Sequence, residues 1–235
     1  KKLDYIEIQG KKNFKSFNYK IPGDISSAAF AIVLTLLSKK SELTIKDINI
    51  NPSRTGIISV LNMMGARIQL FNKKINKGEM TADIFVKSAK NLKAINLSKN
   101  FNNSRAIDEF LLIFIYAAFS KGISTFRGLE ELNKKESKRL DWGFKILKMI
   151  GIKTKKIKNH GIKIWGQPNL KLNKNYVVKN YLKDHRVAMS TIILGLARGG
   201  NWKIHDPDSI NTSFPTFNNM IKNLGGKLNW KKEKI

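Results

Sequence analysis

Cysteine is absent from the 235 residues of this chain. Its absence excludes disulfide bonds, thiolate nucleophiles and cysteine-ligated zinc, and it fits a protein of the cytoplasm. Histidine is nearly absent as well, because the sequence holds only His160, His185 and His205, at spacings that metal-binding pairs do not use. We therefore expect no metal centre.

Long apolar runs are also missing. No stretch reaches the roughly 20 consecutive apolar residues that a membrane-spanning helix needs. No charged and then apolar leader stands at the start, so we expect neither a membrane span nor a secretory signal. The first residue is lysine rather than methionine, which is compatible with a piece of a longer protein.

Acidic residues are few: 17 Asp and Glu stand against 44 Lys and Arg, which gives a formal net charge of +27. One interpretation is selection for a polyanionic partner, and the other is a lysine-rich surface of the kind that an AT-rich genome encodes. Composition alone leaves both open. Only seven of the cations are arginines, so an arginine beside a motif is expected to act through its planar, bidentate guanidinium.

One plan of secondary structure recurs three times along the chain. Each copy has an aspartate, an almost wholly apolar helix, a short strand, a polar connection, an amphipathic helix that ends at a glycine, and another strand. The aspartate and glycine pairs are Asp24 and Gly65, Asp108 and Gly151, and Asp184 and Gly225. Helices such as "SSAAFAIVLTLL" and "EFLLIFIYAAF" are apolar on all sides and must be buried. The sequence therefore predicts an α/β fold of three βαβαββ-like units around buried helices.

The remaining patterns fit that plan. Short β-rich runs such as "LTIKDI", "GIKIWG" and "NWKIHD" are predicted strands. The glycines after the amphipathic helices are typical of helix C-termini. Residues 72–106 and 166–180, which are rich in Asn and Lys, are predicted to be irregular connections with one strand each.

The aspartate at the start of each buried helix has two interpretations. For Asp24 and Asp184 we favour N-capping, in which the carboxylate accepts hydrogen bonds from free backbone amides. Asp108 differs because Glu109 follows it, so one of these two carboxylates is free for other work. The residues alone leave a catalytic role for Asp108 and a structural one equally open.

The segment "NKKESKR", residues 133–139, places Glu136 alone among four cations. We predict two turns of helix over this segment, on which Lys135 and Arg139 lie four residues apart and repel each other. An anion bound between them would remove the repulsion. Arg186 lies at a predicted helix start, as does Arg54, which could complete an anion site or pair with an acid. The phenylalanines lie mostly in the buried runs, so the exposed aromatics of a nucleic-acid binder are not expected.

Taken together, the motifs resemble one family, 3-phosphoshikimate 1-carboxyvinyltransferase or EPSP synthase. The resemblance covers nearly the whole chain, in the family's order and close to its spacing. It rests on "PGDISSAAF" (22–30), "NPSRTG" (51–56), "MGA" (64–66), "IDE" (107–109), "RGLEELNKKESKR" (127–139), "DHRVAM" (184–189) and "TSFPTF" (212–217).

The resemblance implies a fold, a reaction and a set of roles. The family has two domains of three βαβαββ units, and it moves the enolpyruvyl group of phosphoenolpyruvate to the 5-hydroxyl of shikimate 3-phosphate without metal or organic cofactor. By resemblance, Asp108 takes the hydroxyl proton and Glu136 handles protons at the enol methylene carbon. Lys135 contacts shikimate 3-phosphate, while Arg139 and Arg186 clamp phosphoenolpyruvate. The possible secondary site residues are His185, Asp24 and Glu131.

The chain also departs from the family pattern. Asn133 and Lys134 stand where Arg-Val is usual, and Lys138 stands where Asp is usual, which changes the charge around the site. The family's first half is not in this chain. By resemblance, residues 1–20 are the end of that missing domain and a crossover strand, and residues 21–235 are the C-terminal domain.

Because the family's active site lies between its two domains, we expect this chain to be inactive alone and to need the N-terminal domain. We expect the full-length protein to be a cytoplasmic monomer. Two alternatives are a UDP-N-acetylglucosamine enolpyruvyl transferase, which uses the same donor, and a basic nucleic-acid-binding module. The "KKESKR" and "DHR" motifs favour the shikimate enzyme over the first of these.

Overall fold

A computed structural model describes residues 5–11, 13, 15–89, 91–98, 100–158 and 160–231. Of the predicted segment 1–20, residues 1–4, 12 and 14 lie outside the described residues. Its described residues form no helix or strand, and several of its apolar side chains are exposed, including Tyr5, Ile6 and Ile8. Among the described residues, no helix combines the length and the hydrophobicity that crossing a bilayer requires.

Helices and strands alternate along the rest of the chain. The α-helices are α1 (Ile25–Leu37), α2 (Gly56–Met63), α3 (Phe110–Ala118), α4 (Arg139–Met149), α5 (His185–Arg198), α6 (Ser209–Ser213) and α7 (Phe217–Asn223). The strands are β1 (Glu42–Asn49), β2 (Ile68–Asn76), β3 (Glu79–Lys87), β4 (Gly122–Phe126), β5 (Thr154–Ile157), β6 (Gly161–Gly166), β7 (Leu172–Val178) and β8 (Gly199–Ile204). Short 3₁₀ helices cover Asn103–Ala106 and Glu130–Lys134.

The predicted threefold repeat is present in the sheets. In the first unit β3 lies antiparallel between β1 and β2, and in the second unit β6 lies antiparallel between β4 and β5. In each unit an extended segment before the buried helix pairs in parallel with the strand after that helix: Gly23 with Ile48, Asn96 with Thr125, and β7 with β8. The first two units therefore follow the predicted βαβαββ order.

The third unit departs from the prediction at its end. The sequence pattern predicts a strand after α7, but the described residues from 224 to 231 contain none. A strand is stable only when its backbone groups pair with a neighbour. In this unit the described strands are β7 and β8 alone, whereas each earlier unit has a hairpin to supply the partner.

The helices α1, α3 and α5 pack against one another and form the centre of the molecule. Every residue of α3 is buried, as are most residues of α1 and α5. Because the side chains of α1 and α3 are mostly apolar on all sides, no face of these two helices is suited to water, whereas α5 is apolar in its middle and charged at both ends. Strands and amphipathic helices cover the central helices, as the sequence pattern predicts.

The three predicted helix-ending glycines adopt left-handed backbone conformations. The φ angles of Gly65, Gly151 and Gly225 are 90°, 80° and 85°, and each residue follows the last turn of α2, α4 or α7. A side chain is disfavoured in this region, which is why glycine stands at the corresponding place in all three units.

The predicted helix over residues 133–139 is wrong. Residues 133 and 134 end a 3₁₀ helix, Lys135 has an extended backbone, and α4 begins only at Arg139. Hydrogen bonds between polar side chains and the backbone offer the backbone an alternative to the helix, and Asn133 Oδ1 accepts such bonds from the amides of Leu140 and Asp141. The expected repulsion between Lys135 and Arg139 on one helix face therefore does not arise.

Candidate active site

The starts of the three buried helices lie close together and differ in what their aspartates do. Asp24 accepts a hydrogen bond from the amide of Ser27 at 2.9 Å, and Asp184 accepts one from the amide of Arg186 at 2.9 Å. Both are N-caps, as predicted. At α3 the cap position belongs to Glu109, whose side chain makes no capping bond. The carboxylate of Asp108 is therefore free to face other groups.

Asp108 is surrounded by three cations. Its Oδ1 lies 3.0 Å from Arg139 Nη1 and 3.3 Å from Lys135 Nζ, and its Oδ2 lies 3.5 Å from Arg186 Nη2. Burial alone would raise the pKa of Asp108, but the charges of Arg186, Lys135 and Arg139 outweigh burial and hold the pKa below its ordinary value. Asp108 is therefore ionised at neutral pH.

Arg139, the first residue of α4, is enclosed by carboxylates. Its side chain is only 2% exposed, and its three nitrogens contact Asp184 through Nε at 2.8 Å, Asp108 through Nη1, and Glu136 through Nη2. Ser137 Oγ also donates to Asp184 Oδ2 at 2.8 Å. Although burial opposes it, bonding to Arg139 and Ser137 lowers the pKa of Asp184. Sequence reasoning missed Ser137, which nothing in the sequence marks as a partner of Asp184.

The side chains of this cluster differ in their access to solvent. Glu136 is 52% exposed and Lys135 is 31% exposed, whereas Arg186 is mostly covered. Three cations and the three carboxylates of Asp108, Glu136 and Asp184 balance one another. An added anion therefore has to compete with the carboxylates for the same cations.

Glu109 is the buried acid behind this cluster. Its side chain is 3% exposed, and Oε1 has no hydrogen-bond partner among the described residues, although Arg186 Nη1 lies 3.7 Å away. Burial raises the pKa of Glu109, while the Ser26 hydroxyl and Arg186 oppose that rise. Glu109 thus lies between the starts of α1, which carries Ser26, and α5, which carries Arg186.

The predicted secondary residues lie in different surroundings. His185 begins α5, and burial together with the charge of Arg186 lowers its pKa. Glu131 pairs with Lys134 at 2.7 Å, with both side chains exposed. Within the part of the chain that the structure describes, no group of three or more acidic or histidine side chains is arranged to hold a metal ion.

Arg54 pairs with an acid, the second of the two roles open to it from the sequence. Arg54 Nη2 lies 3.1 Å from Asp24 Oδ1 and donates to Ser26 Oγ at 2.9 Å. These contacts tie the segment before α2 to the start of α1.

Similarity to solved structures defines the class of protein. The enolpyruvyl transferase NikO from Streptomyces tendae aligns with a TM-score of 0.61 at 14% identity, over 86% of this chain and 43% of that one. The EPSP synthase of Acinetobacter baumannii aligns with a TM-score of 0.78 at 35% identity, over 86% of this chain and 46% of that one. The chain therefore has the fold of the enolpyruvyl transferases.

Sequence comparison narrows the class to one family. The family model for EPSP synthase (3-phosphoshikimate 1-carboxyvinyltransferase) matches residues 1–221. The 3-phosphoshikimate 1-carboxyvinyltransferases of Petrotoga mobilis and Geobacter metallireducens are 38% and 35% identical over 93% and 94% of this chain. The chain belongs to the EPSP synthase family. It spans about half the length of these curated relatives, 50% of each.

Proposed function

We propose that this chain works as the C-terminal domain of an EPSP synthase. In that enzyme it would help to transfer the enolpyruvyl group of phosphoenolpyruvate to the 5-hydroxyl of shikimate 3-phosphate, with release of phosphate. The observation that carries this proposal is Asp108, an ionised carboxylate free of capping and held among three cations at a helix start. Family membership supports the choice of reaction.

The chemistry assigned to these residues has an addition step and an elimination step. In the addition, the 5-hydroxyl oxygen attacks C2 of phosphoenolpyruvate, Asp108 takes the hydroxyl proton and Glu136 gives a proton to C3. In the elimination, the C2–O bond to phosphate breaks, C3 returns a proton to Glu136, and the proton on Asp108 leaves with the phosphate. Glu136 suits this role because it is half exposed and paired with Arg139.

Substrate binding would tune Asp108 as a base. In the structure the three cations lower its pKa, which makes the carboxylate a weak base. Anionic substrates would draw Lys135 and Arg186 toward their phosphate and carboxylate groups, and the pKa of Asp108 would then rise. The same cations would stabilise negative charge in the tetrahedral intermediate.

The two arginines would bind phosphoenolpyruvate in different ways. Arg186 lies at the start of α5 and reaches Asp108 from the edge of the cluster. Arg139 is fully engaged by carboxylates, so it would reach the substrate only after Glu136 moves away. His185, Asp24 and Glu131 remain predicted secondary residues.

A second domain would complete the site. The cations of the cluster are already balanced by carboxylates, whereas two phosphorylated substrates need further positive charge. We assign residues 21–235 to the C-terminal domain, and residues 1–20 to the end of the N-terminal domain and the crossover strand. The apolar side chains of Tyr5, Ile6 and Ile8, which are exposed in this chain, would be buried against the N-terminal domain. We expect the whole enzyme to be a cytoplasmic monomer.

Turnover assays test this function directly. Phosphate release from phosphoenolpyruvate and shikimate 3-phosphate would be measured for this chain alone and for the chain with an N-terminal EPSP synthase domain. We expect turnover only with both halves, a loss of about 10²-fold or more in Asp108→Asn, and no response to unphosphorylated shikimate. Glu42→Gln, which removes an exposed carboxylate in β1, serves as the control.

Two results would contradict the proposal: no turnover from a pair of demonstrably folded halves, or full activity in Asp108→Asn. For Glu136, the pH dependence of kcat would be compared between wild type and Glu136→Gln. An unchanged profile would remove Glu136 from the proton-transfer role.

A further inference from the structure

The helix α4 begins without a cap of its own. Its N-cap residue is Lys138, whose exposed side chain makes no capping hydrogen bond. A lysine ammonium has donors only, so it cannot accept from the free amides of a first helical turn. Those amides need an acceptor from elsewhere. Arg139, the first residue of α4, itself lies among the carboxylates of the charged cluster.

Asn133 supplies that acceptor from outside the helix. Its Oδ1 accepts hydrogen bonds from the amides of Leu140 at 3.0 Å and Asp141 at 3.3 Å. Its Nδ2 also lies 3.4 Å from Asp141 Oδ1. One side chain thus satisfies two amides in the first turn of a helix that begins six residues later.

These bonds close a loop that carries two of the proposed active-site residues. Lys135 and Glu136 lie between Asn133 and the start of α4, and Ser137 anchors the same loop to Asp184. We infer that Asn133 is a positioning residue: by capping α4 across the loop, it holds Lys135 beside Asp108 and Glu136 beside Arg139. This inference rests on the function proposed above and adds to it a residue that touches no substrate.

Positions 133 and 138 complement one another in this geometry. Position 138 is the N-cap of α4, where Asp would be a preferred acceptor, and this chain has Lys there. At position 133 the chain has Asn, whose side chain supplies the missing acceptor. The two positions are therefore coupled: an acceptor at 138 should make the acceptor at 133 dispensable.

Amide hydrogen exchange of the 235-residue chain tests the cap. In Asn133→Ala, exchange at Leu140 and Asp141 should accelerate about 5-fold, as expected for loss of an average cap. In the Lys138→Asp background the same Asn133→Ala change should have little effect. Lys134→Ala is the matched control, because it removes only an exposed ion pair with Glu131 from the same loop.

The pH titration of the Asp108 carboxyl, followed by NMR in the same chain, tests positioning apart from folding. Release of Lys135 in Asn133→Ala should raise the pKa of Asp108, while Lys134→Ala leaves it unchanged. Neither readout needs turnover, so the inference can fail or stand independently of the proposed function. Unchanged exchange, an unchanged Asp108 titration in Asn133→Ala, or an equal effect of Asn133→Ala in both backgrounds would overturn it.

Discussion

Tyr116 offers a test of the core through a single oxygen atom. The residue lies in α3, its side chain is 0% exposed, and its hydroxyl has no hydrogen-bond partner among the described residues. A buried hydroxyl without a partner costs about 1–3 kcal/mol of stability. Tyr116→Phe removes the hydroxyl and leaves a void of about 10 Å³, which costs only about 0.2 kcal/mol. We therefore expect the variant to be more stable by about 1–2 kcal/mol.

The matched control is the same substitution at Tyr181, where the opposite sign is expected. Tyr181 is also buried, but its hydroxyl donates to the backbone oxygens of His205 and Asp206. Tyr181→Phe should therefore lose about 1 kcal/mol or more.

Urea unfolding of the two variants and the wild type would be followed by circular dichroism, with the midpoint and the slope fitted separately. For a chain of this length, the expected gain in Tyr116→Phe corresponds to a rise of about 2–8 °C in Tm. Equal destabilisation by the two substitutions would refute the reasoning, because it would mean that the Tyr116 hydroxyl is satisfied in solution.

Three further predictions concern pH and the backbone. The pKa of Asp184 is lowered, so its contribution to folding stability is present above the ordinary pKa of 3.8 and is lost as the pH falls through the folded-state pKa. Urea unfolding should show that Asp184→Asn is less stable than wild type at neutral pH, and that its stability changes less than that of wild type as the pH falls. The pKa of Glu109 is raised, so its ionisation destabilises the fold above pH 4.5, and the effect grows until the pH reaches the folded-state pKa. Glu109→Gln should therefore gain stability relative to wild type as the pH rises. A stability difference between the two that does not change with pH would contradict this. Ala at Gly65 should cost more than Ala at Gly151 in thermal unfolding, because a Cβ would lie 2.8 Å from a backbone oxygen at Gly65 and in open space at Gly151.

The sequence predicts most of the fold because the repeat depends on local patterns. An all-round apolar helix must be buried wherever it lies, and a glycine after an amphipathic helix fits the left-handed backbone that ends it. The capping roles of Asp24 and Asp184 follow from equally local chemistry. These features need no knowledge of what the other units do.

Other features depend on distant partners and escape such reasoning. The helix predicted over 133–139 is not formed, because Asn133 instead binds amides beyond the segment. The predicted last strand of the third unit is missing from the described residues, where this unit has no hairpin like those of the first two units. Arg139 could be marked as a site residue by resemblance, yet its enclosure by carboxylates from two units could not. The burial of Glu109 likewise depends on how three helix starts meet.

The three repeats place an aspartate at corresponding helix starts, yet these aspartates make different contacts. In the first and third units the aspartate is committed to its own helix. In the second unit the following glutamate takes the cap position without a capping bond, and the aspartate is released toward cations from its own and the third unit. A shift of one residue at a helix start breaks the symmetry, so the repeats share one architecture while a single copy turns its aspartate toward a cluster of cations.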